Sequence, residues 1–434
     1  MIEHSTRWLG GFAAAYLVLL PTNAAVAPRS IAFGGLLLML VLLAVATGRA
    51  RVAGGPLGGR GSTLPAPPRA VAAAFAAWAL WSAASWFWSL RPAYSADQIE
   101  RELFDTALVA LAFFIAARDA FAVRVLVGLA LAGFAVLTAL ALGLAADGGW
   151  DAGRWHHGTG VWSMWIVLIA PFALLPIAPP PLGARRRTAA FALLVALVAL
   201  LLASARLTDN RMVWLALGAV FATAALLAAA RWRAAFWRSP LRWGAALVAL
   251  LMVFSLLFVD AAREKAAVHY PPHTTVEDTL KHDPRLALWD YTAGRIRERP
   301  MTGHGFGRAI LAPEMERALH DPLLTHAHNV FVSQWLQTGA VGATLFVALL
   351  AALAWRYAAY FRARDDALAF VGLVGLTLLV GFVVKNLTDD FLFRSNAKEF
   401  FALNALLLGF GTRRAAEPAD RREGSAPTGA DTGR

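Results

Sequence analysis

Apolar stretches long enough to cross a bilayer recur along almost the whole of this 434-residue chain. About 30 Å of hydrocarbon takes roughly 17–25 residues of helix, and only helices and closed barrels satisfy their backbone there. Runs near 8–27, 31–48, 70–90, 99–117, 122–146, 160–178, 189–205, 210–230, 244–260, 330–354, 368–386 and 397–411 fit helices. The expected fold is an all-α polytopic membrane protein with about twelve transmembrane helices. A hydrophobic content of 59% and a mean hydropathy of +0.56 agree.

Arginines set the orientation. Arg49, Arg51, Arg118, Arg185, Arg186, Arg187, Arg231, Arg356, Arg362 and Arg413 all follow even-numbered runs. Basic loops stay in the cytoplasm, so both termini are expected there, and the loop between the ninth and tenth runs faces the periplasm. The net charge of +12 is then largely topogenic, and nucleic acid is not an expected partner. The absence of cysteine excludes disulfides, zinc–thiolate sites and a cysteine nucleophile. Only Arg7 precedes the first run, which reads as a retained helix rather than a signal peptide.

The expected organisation is helices 1–9 over residues 1–260, a periplasmic loop with short helices over 261–329, helices 10–12 over 330–411, and a disordered cytoplasmic tail over 412–434. Residues 50–69 also read as disordered. Residues 231–243, where tryptophan and arginine alternate, read as an interfacial anchor. Tryptophans at the outer ends of runs (Trp78, Trp81, Trp86 and Trp88, then Trp150, Trp155 and Trp162) suit an aromatic belt.

The periplasmic loop concentrates the chemistry. It holds seven of the ten histidines, namely His269, His273, His282, His304, His320, His326 and His328, together with Arg285, Arg295, Arg297, Arg299, Arg308 and Arg317. Asp283 and Pro284 suit the start of a helix that runs to about Glu298, with Arg285 and Trp289 one turn apart on one face. Gly303-His304-Gly305-Phe306-Gly307-Arg308 is a glycine-rich loop whose amides could approach an anion. If a helix has already begun at His326-Ala327-His328, the two rings point about 200° apart, and one is chemical while the other supports it. His326, His328 and Asp389 have the residue types of a zinc site, and Asp389-Asp390 those of a magnesium site, but neither carries a full ligand motif. No metal or cofactor is therefore expected. The residues favour transfer from a diphosphate without a metal. Arg211, Arg285 and Arg308 would meet the developing phosphate charge, and a neutral imidazole would take a proton.

Several short motifs resemble the O-antigen ligase and polymerase superfamily. They are Arg285-Leu286-Ala287-Leu288-Trp289, Arg299-Pro300-Met301-Thr302-Gly303-His304-Gly305-Phe306-Gly307, His328-Asn329 and Gly339-Ala340-Val341-Gly342. Trp88-Ser89-Leu90-Arg91-Pro92 and Arg211 look similar too. The resemblance implies a GT-C-type membrane glycosyltransferase that moves a glycan from undecaprenyl diphosphate to an acceptor at the periplasmic face of a bacterial inner membrane. It implies catalytic roles for His328, Arg211 and Arg285. Arg308, His304, His326, Arg154, Asp389 and Trp289 are the expected substrate contacts. Where the family pattern leads us to expect an acid before the Gly339 turn, this chain has Gln337. Outward-facing arginines such as Arg91, Arg154 and Arg206 suit two anionic lipids side by side, which favours a lipid A–core acceptor over a growing O-unit chain or a protein hydroxyl. A lipid-linked glycan transporter would instead place polar groups or broken helices at mid-membrane.

Overall fold

The computed structural model of the protein describes residues 2–52, 66–178, 184–232, 240–269, 284–321 and 324–417. The segments expected to be disordered at 50–69 and 412–434 fall largely outside these residues. So do most of the anchor at 231–243 and the loop histidines His273 and His282.

Every regular element among the described residues is helical. The first part of the chain forms α1 (Ile2–Leu19), α2 (Val26–Val52), α3 (Arg69–Ala84), α4 (Pro92–Gln98), α5 (Asp105–Ala116), α6 (Ala120–Ala146), α7 (Ala152–His156) and α8 (Thr159–Ile169). The remainder forms α9 (Ala184–Arg206), α10 (Arg211–Arg231), α11 (Pro240–His269), α12 (Pro284–Glu298), α13 (Ala312–Leu319), α14 (Val330–Phe361), α15 (Asp366–Asn386) and α16 (Arg394–Ala416).

Eight of these helices are long and apolar enough to span a membrane: α2, α3, α6, α8, α9, α10, α14 and α15, with α3 and α8 extended by 3₁₀ turns. The four other expected spans are helical but differ for physical reasons. α1 stops at Leu19, and α16 carries Lys398, Glu399, Arg413 and Arg414. The run at 99–117 divides into a π-helical turn, Ile99–Phe104, and the 12-residue α5. α11 is charged at its end by Asp260, Arg263 and Glu264, and part of it lies outside the described side chains.

Lipid offers no hydrophobic incentive for helices to associate, so close packing and internal hydrogen bonds must hold the bundle. α8, α15 and α16 are the most enclosed, with Trp162, Trp165, Phe382 and Phe400 at 0–1% exposure. Phe382 stacks on Phe400 at 4.0 Å, and Tyr357 of α14 donates to Asn404 Oδ1 of α16 at 2.8 Å.

One end of the bundle gathers most of the polar chemistry. There His156 Nδ1 lies 2.8 Å from the Pro21 carbonyl, Lys385 donates to Asn210 Oδ1, and Asn329 donates to the Leu387 carbonyl. At the opposite end Arg231 pairs with Asp366, Arg414 pairs with Asp365, and Arg413 donates to the Phe114, Ile115 and Ala117 carbonyls.

The glycine-rich loop docks onto α14. The amides of His304 and Gly305 donate to the Leu336 and Gln337 carbonyls, and that of Ala340 donates back to Pro300. The amide of Phe306 reaches Ser85 Oγ, and that of Gly307 reaches Gln337 Oε1. Docking needs two glycines. Gly339 kinks α14 at φ +69°, and Gly303 faces it at φ +69°, each pressed against the backbone of the other segment. Three tryptophans of α3 and its 3₁₀ extension lock the same region: Trp78 donates to Gln334 Oε1, Trp81 to the Thr338 carbonyl and Trp88 to the Thr302 carbonyl. They are joints between elements rather than a belt. Trp86, 43% exposed, keeps the belt-like position.

Candidate active site

The helix of α14 begins only at Val330, because the Asn329 side chain accepts from the amides of Phe331 and Val332 and caps it. His326 and His328 therefore precede the helix, and the divergence of helical side chains does not apply. Their rings lie 3.8 Å apart, both beside Asp389. Trp289 of α12 holds this segment by donating to the Ala327 carbonyl at 2.9 Å. His328 sits at φ +48°, an uncommon backbone conformation for a residue with a side chain and one that accumulates at functional sites.

The two rings have different partners. Arg308 donates to His326 Nε2. A guanidinium can only donate, so that nitrogen accepts, and the ring hydrogen is on Nδ1, 3.4 Å from Thr325 Oγ1. His328 Nδ1 instead lies 3.4 Å from Asp389 Oδ1, near but not aligned as a hydrogen bond. Arg308 Nη2 is 3.9 Å from the same carboxylate oxygen and stacks over Phe393 at 3.9 Å.

Burial would raise the Asp389 carboxyl, but the His326 and His328 rings and the Lys385 ammonium outweigh it and hold it well below the usual carboxylate range. Asp390 goes the other way, raised by burial despite Arg308 and Ser333. Burial and the Arg308 charge lower His326 to about 3. A folded-state value below the ordinary 6.5 means that the unfolded chain binds the extra proton first. This group's share of stability is therefore present above about pH 6.5 and is lost progressively as the pH falls toward 3. His156, lowered to about 4 mainly by burial, acts in the same sense. The expected result is an unfolding temperature in detergent that drops between pH 7 and pH 4, with a shallower drop in His326→Gln. An unchanged slope in that variant would remove His326 as a source.

His326, His328 and Asp389 bring ligand atoms within 4.8 Å of one another, as a metal site would need. However, the Arg308 cation already occupies His326 Nε2 and adjoins Asp389. That arrangement suits an anion beside the cluster better than a second cation.

Next to the cluster opens a cavity of about 720 Å³, with Arg308 and His326 in its wall. Distant parts of the chain complete the wall with Arg29, His157, Arg394 and Lys398. His157 stands out in the sequence as one of the basic residues between Trp155 and Trp162, whereas Arg29, Arg394 and Lys398 do not, since each is a charge near a helix start and indistinguishable there from an orienting one. The nine expected site residues divide. His326, His328, Arg308 and Asp389 come together, with Trp289 bracing them. Arg211 is the first residue of α10, next to Asn210, which receives Lys385, and Arg285 is one turn before Trp289 in α12. His304 is 1% exposed, its Nε2 lies 2.9 Å from the Arg295 carbonyl, and it serves the docked loop. Arg154 lies over Trp155 on α7, outside the cavity wall.

Residues 196–347 match the family described as O-antigen ligase. The match covers about a third of the chain and makes that part similar to the O-antigen ligase family. The matched segment runs from the middle of α9 into α14, so it contains Arg211, Arg285, Trp289, His304, Arg308, His326 and His328. Arg154, Asp389 and the α16 side of the cavity lie outside it. No curated protein matches the chain.

Proposed function

We propose that the protein is a GT-C-type O-antigen ligase. In this proposal it moves a glycan from undecaprenyl diphosphate to a sugar hydroxyl of lipid A–core at the periplasmic face of a bacterial inner membrane. The observation that carries this is the His328–Asp389 pair beside a cation-walled cavity, with His328 inside the segment similar to the O-antigen ligase family. Arginines at the far end of the bundle support a cytoplasmic assignment for that end, and so a periplasmic one for the site.

His326 cannot be the base, because its free lone pair is committed to Arg308. His328 has Nδ1 toward Asp389, which leaves Nε2 to accept a proton. A slight rotation would align Nδ1–H on the carboxylate as the imidazolium forms, since catalytic hydrogen bonds are often long before substrate binds. The acceptor oxygen attacks the anomeric carbon while His328 Nε2 takes its proton. The bond from that carbon to the diphosphate oxygen breaks, and its electron pair leaves with undecaprenyl diphosphate. A single displacement inverts the anomeric centre. Arg308 spreads the departing charge, and Arg211 and Arg285 are assigned the same role.

The test is transfer by purified protein in detergent, with undecaprenyl-diphosphate glycan and lipid A–core, with and without EDTA. Glycan should appear on lipid A–core equally in both. Elongation of the donor alone would make the protein a polymerase, and loss with EDTA that magnesium restores would overturn the metal-free route.

A further inference from the structure

The first turn of α16 forms part of the cavity wall, and no step at His328 uses it. No side chain caps this 23-residue helix, and the amide of Arg394 is taken by Glu102 Oε2 at 2.6 Å. The remaining amides of a first turn have no acceptor within their own helix and carry its positive end. Ser395 lines the cavity at 7% exposure, and its Oγ has no hydrogen-bond partner. An unpartnered hydroxyl buried to that degree, at a helix N-terminus, indicates a missing acceptor.

The charges around it indicate the acceptor's sign. Arg29, Arg394 and Lys398 share this part of the wall. Lys398 is 3.1 Å from Asp105, whereas among the described residues no carboxylate lies within ion-pair reach of Arg29 or Arg394. The cavity's two acids are already engaged: Asp97 pairs with Arg101 at 2.7 Å, and Glu102 holds the Arg394 backbone. Arg394 is exposed and fixed at φ +49°. Glu102 sits on the π-helical turn, a form of helix frequent at functional sites.

We infer that the first turn of α16 is a phosphate-binding site, with Glu102 as the residue that positions Arg394. Arg394 and Arg29 take the oxygens of a phosphate or diphosphate ester, and Ser395 Oγ donates to it. Several cations around one turn suit a multiply charged tetrahedral group better than a carboxylate, which one arginine satisfies. The inference deepens the ligase proposal, because either the donor diphosphate or a phosphorylated acceptor could supply the group.

Binding separates this site from catalysis. The full chain in detergent would be titrated with undecaprenyl diphosphate, inorganic diphosphate and lipid A, as wild type, Arg394→Gln, Ser395→Ala, Glu102→Ala and Glu102→Gln. Arg394→Gln should weaken binding about 10–100-fold. Glu102→Ala should weaken it as well, and Glu102→Gln, which keeps an acceptor oxygen, should restore most of it. A loss with undecaprenyl diphosphate assigns the site to the donor, and a loss with lipid A alone assigns it to the acceptor. Unchanged affinity for all three probes in both Arg394→Gln and Ser395→Ala would overturn the site. His328→Ala should bind normally, so a failure of the transfer chemistry would leave these affinities intact.

Discussion

His328→Ala is expected to lower kcat for glycan transfer by a factor of about 10²–10⁴, the usual contribution of a positioned general base, with the donor KM little changed. The side chain is largely enclosed but makes no aligned hydrogen bond, so its loss should not unfold the protein. Asp389→Asn tests the same chemistry from the other side. It keeps the shape but removes the one charge that faces His328, His326 and Arg308 together, and an amide no longer stabilises an imidazolium. The two single variants should be nearly as slow as the double variant, because residues acting as a unit are not additive. His326→Gln should cost less, since its ring accepts from Arg308 and has no free lone pair. Wild-type kcat in His328→Ala would show that another group takes the proton.

Gly339→Ala is expected to destabilise the protein by about 2–5 kcal/mol, through a left-handed backbone together with a forced clash. An added Cβ at Gly339 would lie 2.1 Å from the backbone of Met301, and neither partner is a flexible side chain that can turn away. Gly303→Ala meets the Gln337 backbone at 2.5 Å and should behave alike. The loop from Pro300 to Gly307 should then lift off α14, and its amides should exchange hydrogen faster than those of α15. Thermal unfolding in detergent measures the first effect and hydrogen exchange the second. A wild-type unfolding temperature in Gly339→Ala would show that the docked loop contributes little to the fold.

The sequence made the membrane architecture legible because the length of an apolar run is a local property. It did not reveal where a run would be interrupted. The π-helical turn at Ile99–Phe104 lies where Glu102 meets the amide of Arg394, a partner 292 residues away. The histidine pair was visible as a motif, but its geometry was not, because everything depended on where the helix began. Asn329 is a favoured capping residue, and that signal was present in the sequence. Asp389 and Arg308 were also found there, from their residue types. Arg29, Arg394 and Lys398 were not, since nothing in one chain segment says that the starts of α2 and α16, near the chain's two extremes, will share a cavity. Tryptophan at a membrane border has two uses, anchoring and joining, and composition cannot separate them.

The joints made by Trp81, Trp88, Trp289 and Trp335 share one property: each indole donates to a backbone carbonyl, at 2.8–2.9 Å. A carbonyl is present whatever residue carries it. At Pro300 and Thr302, which are exposed, the side chain can therefore change without removing the acceptor, while a substitution at Trp335 or Trp88 removes the donor. The seat of the loop thus depends on the indoles and not on the residues whose carbonyls they hold, so those exposed positions can drift in sequence while the scaffold stays put.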